Sequence, residues 1–253
     1  MLNQIRKQKI TEYINEKGVA SIKELNAFFP EVSVMTIHRD LEKLEQEGVI
    51  IRTRGGAISG KRQLSSSETS LTTRESTNPD AKMIIAKKAV SFIEEGNSIF
   101  IDAGTTALAL AREMPDIKLN IFTSAPNIAV ELSRLELPNI YMCGGMLNKA
   151  NQAVSGSATL EMLKDVNITV AFIGASGYST EAHFTCGKEE EKQVKQLVMA
   201  KAFKNIILMD DSKVGQVLPF TFGKLEDTDV VISNGKLPRE IVARAEEGGT
   251  MMI

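Results

Sequence analysis

The chain has 253 residues, of which 43 % are hydrophobic and 25 % charged, and its net charge is −2. That is enough apolar material for a small module plus one larger domain, and the near-neutral balance excludes a globally basic nucleic-acid coat. No apolar run approaches the roughly 20 residues that span a bilayer.

The opening Met1-Leu2-Asn3-Gln4-Ile5-Arg6-Lys7 lacks the apolar core of a signal peptide. The two cysteines, Cys143 and Cys186, sit in separate segments without metal-type spacing. Reduced thiols in a cytoplasmic protein are the economical reading. Neither a metal nor a cofactor is expected.

The first helix is expected from Gln4 to Glu16, with Ile5, Ile10, Tyr13 and Ile14 inward. Lys17-Gly18 ends it, and Val19-Ala20 forms an extended bridge. Ser21 caps a second helix, with Glu24 completing a capping box. Leu25 and Phe28 face inward there, and Pro30 forbids continuation. Ser33 is the N-cap of a third helix, in which Val34, Ile37, Leu41 and Leu44 recur at three- and four-residue steps. Arg39 projects from the opposite face, flanked by Met35, Thr36, Glu42 and Lys43. A helix with one apolar face and a small, polar, Arg-bearing outer face suits the DNA major groove.

Gly48 closes that helix. Ile50-Ile51 starts a strand, and Arg52 and Arg54 precede a Gly55-Gly56 turn. Three helices followed by a basic hairpin make a winged helix-turn-helix. Between Ser33 and Arg62 six basic residues meet four acidic ones, and two of the cations stand on the wing, where phosphate contact depends on position rather than on the sum. The Ser/Thr-rich stretch from Ala57 to Thr73 reads as a linker. The boundaries drawn are 1–58 for the winged module, 59–75 for the linker and 76–253 for the second domain.

From Asn78 onward helices and strands alternate. Helical Lys82–Glu95 leads to strand Ser98–Ile101, the loop Asp102-Ala103-Gly104-Thr105-Thr106 and a helix to Met114. Strand Leu119–Phe122, a helix to Leu135, strand Ile140–Cys143, helix Ala158–Leu163 and strand Ile168–Ile173 follow. Helix Glu189–Ala202, strand Ile206–Met209, strand Val230–Ser233, helix Pro238–Ala245 and a short strand Thr250–Ile253 complete the chain. This alternation argues an α/β domain with a mostly parallel sheet covered on both faces.

Ligands of such sheets gather at the carboxyl ends of the strands. There Gly104 lets a backbone approach an anion, with helix amides and the hydroxyls of Thr105 and Thr106 beside it. Gly144-Gly145 and Ser155-Gly156 offer further close approaches, Lys213 a point charge, and Asp102 an acceptor for sugar hydroxyls. No Walker loop is present. A phosphorylated polyol is the ligand these groups suit.

Nearly the whole chain resembles the DeoR-type bacterial transcription regulators. The resemblance is carried by Val32-Ser33-Val34-Met35-Thr36-Ile37-His38-Arg39-Asp40-Leu41, by Arg52-Thr53-Arg54-Gly55-Gly56-Ala57, and by Arg74, Asn78 and Lys82. The Asp102–Thr106 loop, Gly144-Gly145, Phe172-Ile173-Gly174 and Asp210-Asp211-Ser212-Lys213 extend it.

The resemblance implies a Rossmann-like, isomerase-related sensor for a sugar phosphate joined to an operator-binding module, in a homodimer or homotetramer. It implies a repressor of carbohydrate metabolism rather than an enzyme, and no membrane partner. DNA contacts are then expected from Ser33, Met35, Thr36, His38, Arg39, Lys43, Arg52 and Arg54. Effector contacts are expected from Asp102, Gly104, Thr105, Thr106, Ser124, Gly144, Gly145, Ser155 and Lys213.

The chain departs from the family pattern at His38 (usually arginine), Ser124-Ala125 (usually Asn-Ser), Thr169 and Asn234 (both usually aspartate). The rival reading is a sugar-phosphate isomerase-like enzyme with an appended DNA-binding module. Such an enzyme needs a carboxylate to move a proton between carbons, and Gly174-Ala175-Ser176-Gly177-Tyr178 carries none. Glu189, Glu190 and Glu191 suit the start of the next helix electrostatically.

Overall fold

The computed structural model describes residues 2–17, 19–47, 49–53, 55–59 and 71–253, in two compact units. The first contains α1 (Leu2–Lys17), β1 (Val19–Ser21), α2 (Ile22–Phe28), α3 (Val34–Gln46), β2 (Ile50–Thr53) and β3 (Gly56–Ser59). The strands form one antiparallel sheet in the order β1-β3-β2. Ile10, Ile14, Leu25, Phe29, Ile37, Leu41, Leu44 and Ile50 make its core.

Three inward expectations fail in this unit. Ile5 is 51 % exposed, because the stripe through Ile14 and Ile10 continues one turn back to Arg6 and Lys7 rather than to Ile5. Those two cations reach α3 and its cap instead, Arg6 pairing with Asp40 on the helix and Lys7 with Glu47 just beyond its end, each at 2.5 Å. Phe28 is 51 % exposed and Phe29 takes the buried place, since Phe29 lies four residues after Leu25. Phe28 packs its ring against Tyr13 with centroids 4.8 Å apart. Val34 is 43 % exposed at the first position of α3.

The second unit opens with α4 (Leu71–Ser76), inside the segment expected to be linker. Next come α5 (Pro79–Val90), β4 (Ser98–Ile101), α6 (Thr105–Glu113), β5 (Asn120–Thr123), α7 (Pro126–Leu132), β6 (Asn139–Met142), β7 (Met146–Asn148) and β8 (Ala153–Ser155). The chain continues through α8 (Ser157–Lys164), β9 (Ile168–Gly174), β10 (Gly177–Ser179), β11 (His183–Cys186), α9 (Glu189–Lys201), β12 (Ala202–Leu208) and β13 (Phe220–Gly223). It ends with β14 (Val230–Ile232), α10 (Arg239–Glu247) and β15 (Met251–Met252). Buried Leu71 and a 2.7 Å Glu75–Arg112 ion pair fasten α4 to α6.

Seven strands form a wholly parallel sheet in the order β15-β14-β12-β9-β4-β5-β6. Strand residues alternate between its faces. Ile99, Ile101, Phe172, Ile206 and Leu208 point toward α5, α6 and α7, whereas Phe100, Ala171, Ile173 and Ile207 point toward α8, α9 and α10. Each such fully buried Ile, Leu or Phe side chain contributes about 1.5–3 kcal/mol relative to exposure. Two features were not expected from the sequence: the β7–β8 hairpin, and a small antiparallel sheet β10-β11-β13 that adds Tyr178, Phe184 and Phe222 to the second face. No helix among the described residues is long and apolar enough to cross a membrane.

Candidate functional site

In the first unit α3 is held in place from three sides. The Ser33 hydroxyl accepts from Thr36 N–H at 3.3 Å and shares a 2.9 Å bond with the Thr36 hydroxyl. Asp40 is buried beneath the helix and accepts from Arg6 Nε, whose guanidinium this hydrogen bond holds above its ordinary range. At the other end Glu45 accepts from the backbone N–H of Arg52 at 2.9 Å, which ties the wing to the helix. Fixed in this way, α3 turns Met35 (70 % exposed), Arg39, Glu42 and Lys43 outward, with Ser33 exposed and Thr36 and His38 half-buried at the flanks. Arg52 is half-buried on β2, and Arg54 lies outside the described residues.

Gly55 lies in the turn between β2 and β3, as expected, whereas Gly56 starts β3 and has a further cause. A Cβ on Gly56 would stand 2.0 Å from the carbonyl oxygen of Ala20, and Ile22 N–H donates to Gly55 O at 2.8 Å. Gly56 therefore lets β3 pass against the backbone of β1. Glu42, absent from the expected DNA contacts, shares the outer face with Arg39 and can accept from a cytosine amino group.

In the second unit the chain order of strands reverses between β4 and β9, which is the switch point where open α/β sheets receive ligands. Asp102 stands there at the end of β4, only 2 % exposed. Its Oδ2 accepts from Gly174 N–H at 3.0 Å and from Lys195 Nζ. Lys195 is equally buried and also donates to Gly174 O at 2.9 Å and pairs with Glu191 at 3.2 Å. Burial pulls the Lys195 ammonium down, but Asp102 and Glu191 more than offset it, so it is held above the ordinary lysine range. Burial also pushes the neighbouring Cys186 thiol up to about 12 and Cys143 up to about 11.

Beside this ion pair lies a cavity of about 60 Å³ lined by Asp102, Ser124, Asn151, Ser155, Lys188 and Glu191, among others. Of the residues expected to touch an effector, Asp102, Ser124 and Ser155 line it. Gly104, Thr105, Thr106, Gly144, Gly145 and Lys213 do not. Thr105 is 8 % exposed in the first turn of α6, and Thr106 is half-buried. Gly104 takes φ 111° with open space where a Cβ would be, as does Gly156 at φ 106°. Gly145 differs: its Cβ would meet Ser155 O and Thr159 Oγ1, both at 2.5 Å, so it packs the base of the hairpin against the chain itself.

Lys213 ends a short turn, Asp211–Lys213, just beyond β12. It belongs to a second neighbourhood that includes Lys82, Asp210 and Arg74. Burial lowers Lys82 first, Asp210 opposes this, and Lys213 and Arg74 add to it. Lys82 Nζ donates to Arg74 O and Thr77 O, and Asn78 between them is left-handed at φ 51°. The Arg74–Asn78–Lys82 spacing thus builds a tight α4–α5 corner. Asn234 accepts from Asp211 N–H at 3.2 Å and donates to its carboxylate at 2.7 Å, while Thr169 Oγ1 accepts from Ser98 N–H at 3.3 Å.

Helices α5, α6, α7, α8 and α9 all begin without a side-chain cap, whereas α2 and α3 are capped by Ser21 and Ser33. Among the described residues, no group of three or more His, Cys, Asp or Glu could hold a metal ion.

A capped, outward-turned helix with an adjoining wing, carried on the same chain as a parallel-sheet domain, defines a two-domain DNA-binding regulator. The comparisons agree. Residues 6–63 match the DeoR-like helix-turn-helix domain and residues 77–235 the DeoR C terminal sensor domain. The chain belongs to the DeoR family of transcriptional regulators.

It is 31 % identical over 258 residues to the HTH-type transcriptional regulator GlpR of Haloferax volcanii, covering 100 % of this chain and 98 % of that one. It is 34 % identical over 210 residues to the HTH-type transcriptional repressor GlcR of Bacillus subtilis, covering 83 % and 80 %. Among solved structures, ribose 5-phosphate isomerase A of Methanocaldococcus jannaschii is a loose match, with TM-score 0.42 and 19 % identity over 55 % of this chain and 56 % of that one.

Proposed function

We propose that this regulator represses a carbohydrate-metabolism operon and that a phosphorylated sugar, bound at the carboxyl edge of the parallel sheet, alters its grip on the operator. The observation that carries the reading is the run of uncapped helix starts at that edge. Their free amides and positive dipole ends favour an anion, and the N-terminal turn of α6 adds Thr105 and Thr106 beside an open Gly104. Lys213 and Lys82 supply cations at the same edge. In this reading Thr105, Thr106 and Lys213 hold the phosphate. Ser124, Ser155 and Lys188 take sugar hydroxyls in the cavity.

On DNA, Arg39 reads base edges at the centre of α3, with Met35 positioned for a thymine methyl. Ser33, Thr36 and His38 flank it, while Lys43, Arg52 and Arg54 grip phosphates. Two-fold operators are read by paired copies. GlcR carries the name of a repressor, which supports repression as the sign of regulation.

The enzyme reading is disfavoured by the chemistry of the switch point. Its deepest carboxylates, Asp102 and Glu191, are both paired with Lys195, and Gly174–Gly177 adds no acid. The test is incubation of the full chain with a panel of phosphorylated pentoses and hexoses. A raised melting temperature without turnover supports a sensor; isomerised product shows an enzyme.

A further inference from the structure

Strand β6 ends the seven-stranded sheet and, among the described residues, pairs only with β5. Free edges of this kind are normally protected by charge, proline, a bulge or brevity. The opposite edge follows the rule, since β15 is just two residues long. β6 does not: Asn139-Ile140-Tyr141-Met142 carries neither charge nor proline. Apolar side chains are exposed around it, namely Leu137 (50 %), Tyr141 (42 %), Met142 (50 %), Met146 (73 %) and Leu147 (49 %). Summed over both sides of the strand they expose on the order of 500 Å², over half of the roughly 800 Å² per partner that a stable interface needs.

We propose that β6 pairs antiparallel with β6 of a second copy of this chain, joining two sheets into one across a two-fold axis. An edge strand is self-complementary in this arrangement. A two-fold axis perpendicular to the sheet keeps each face on its own side, so residues that meet must be an even number of positions apart.

Centred on Tyr141, the axis sets Tyr141 against its own counterpart on one face and Ile140 against Met142 on the other. Both are apolar cross-strand pairs. Tyr141 is already oriented by stacking on Phe122, with ring centroids 4.8 Å apart. The partner also stands beside the effector cavity, because Met146 both belongs to this surface and lines the cavity. This pairing rests on the reading of the chain as a paired operator binder, and its test needs no DNA.

The experiment measures the mass of the full chain by sedimentation velocity, for the wild type and Met142→Lys. Two copies or a multiple are expected for the wild type. Half that mass is expected for the variant, with an unchanged far-ultraviolet spectrum. A second measurement remains decisive if the variant misfolds. A residue on the axis lies about 4.5–5.5 Å from its counterpart, within disulfide range. Tyr141→Cys should therefore form a covalent dimer on mild oxidation at least tenfold faster than Phe203→Cys, whose site is exposed elsewhere on the chain. A monomeric wild type, retained mass in Met142→Lys, or equal cross-linking at the two positions overturns the proposal. Operator binding measured separately shows whether the regulator reading stands without it.

Discussion

Lys195→Met removes an ammonium that both Asp102 and Glu191 engage, and leaves a carboxylate that is 2 % exposed facing the end of β9. Breaking a buried pair by deleting one partner costs about 3–5 kcal/mol, because an uncompensated charge stays behind. That is a large share of the roughly 5–15 kcal/mol by which a domain is stable. At about 2–4 °C per kcal/mol for a unit of this size, the melting temperature of the second unit falls by roughly 6–20 °C.

The pH dependence has a definite sign. In the wild type the raised Lys195 pKa gives stability that is fully present below the ordinary lysine value of about 10.4 and lost only as pH rises through the higher folded value. The stability gap between the two proteins should therefore persist from about pH 7 to about pH 9 and narrow only where Lys195 itself loses its proton. Thermal melts followed by circular dichroism at about pH 7 and about pH 9 read both the loss and its persistence, and adding Asp102→Asn to Lys195→Met should restore part of the loss. A loss under about 1 kcal/mol at about pH 7, or a gap that closes by about pH 9, would show that the pair carries no such weight.

Arg39→Ala should weaken operator binding by about 1–3 kcal/mol and relax specificity at one base pair; equal losses on operator and random DNA would make Arg39 a phosphate contact instead. Arg52→Ala should lower affinity on all sequences alike and reduce the slope of log K against log salt by about one, read from binding titrations at several salt concentrations. Gly56→Ala forces a Cβ onto the Ala20 carbonyl and should destabilise the winged unit by about 1–3 kcal/mol, with operator affinity lost while the melt of the sensor domain is unmoved.

The elements with strong periodicity were legible in the sequence. The three- and four-residue spacing of Ile37, Leu41 and Leu44 located α3, and the Ser21–Glu24 capping box forms as its spacing requires. Strand Ser98–Ile101 lies where expected, because β-branched and aromatic residues there are bounded by turn residues.

Short strands of the second unit that lie outside its parallel sheet were not legible. Strands β7, β8, β10 and β13 run three or four residues, too few for alternation to rise above the surrounding loops. Helix α4 was hidden by its threonines and serine, which read as linker until Leu71 finds a pocket.

Lys195 was missed for an instructive reason. Glu189-Glu190-Glu191-Lys192 gives α9 the look of a solvated charged surface. A signal was nevertheless present: Lys195 shares a helical stripe with Glu191 and Val198 and follows Val194, so a cation stands inside an apolar row. The division of the expected effector residues between a cavity at Asp102 and a cationic corner at Lys82 and Lys213 depends on strand order, which local patterns do not encode.

In the mechanism proposed, one unit holds DNA while the other senses a phosphorylated sugar and changes that hold. Operator affinity of the full chain, measured at one fixed salt concentration with and without each member of a sugar-phosphate panel, reads that coupling outright. A 5- to 150-fold change with a particular sugar phosphate is expected, as is typical of linked sites. That change should vanish in Thr105→Ala and Lys213→Ala while their effector-free operator affinity stays at the wild-type value. An affinity unmoved across the whole panel, or a response that survives both substitutions, would rule the mechanism out.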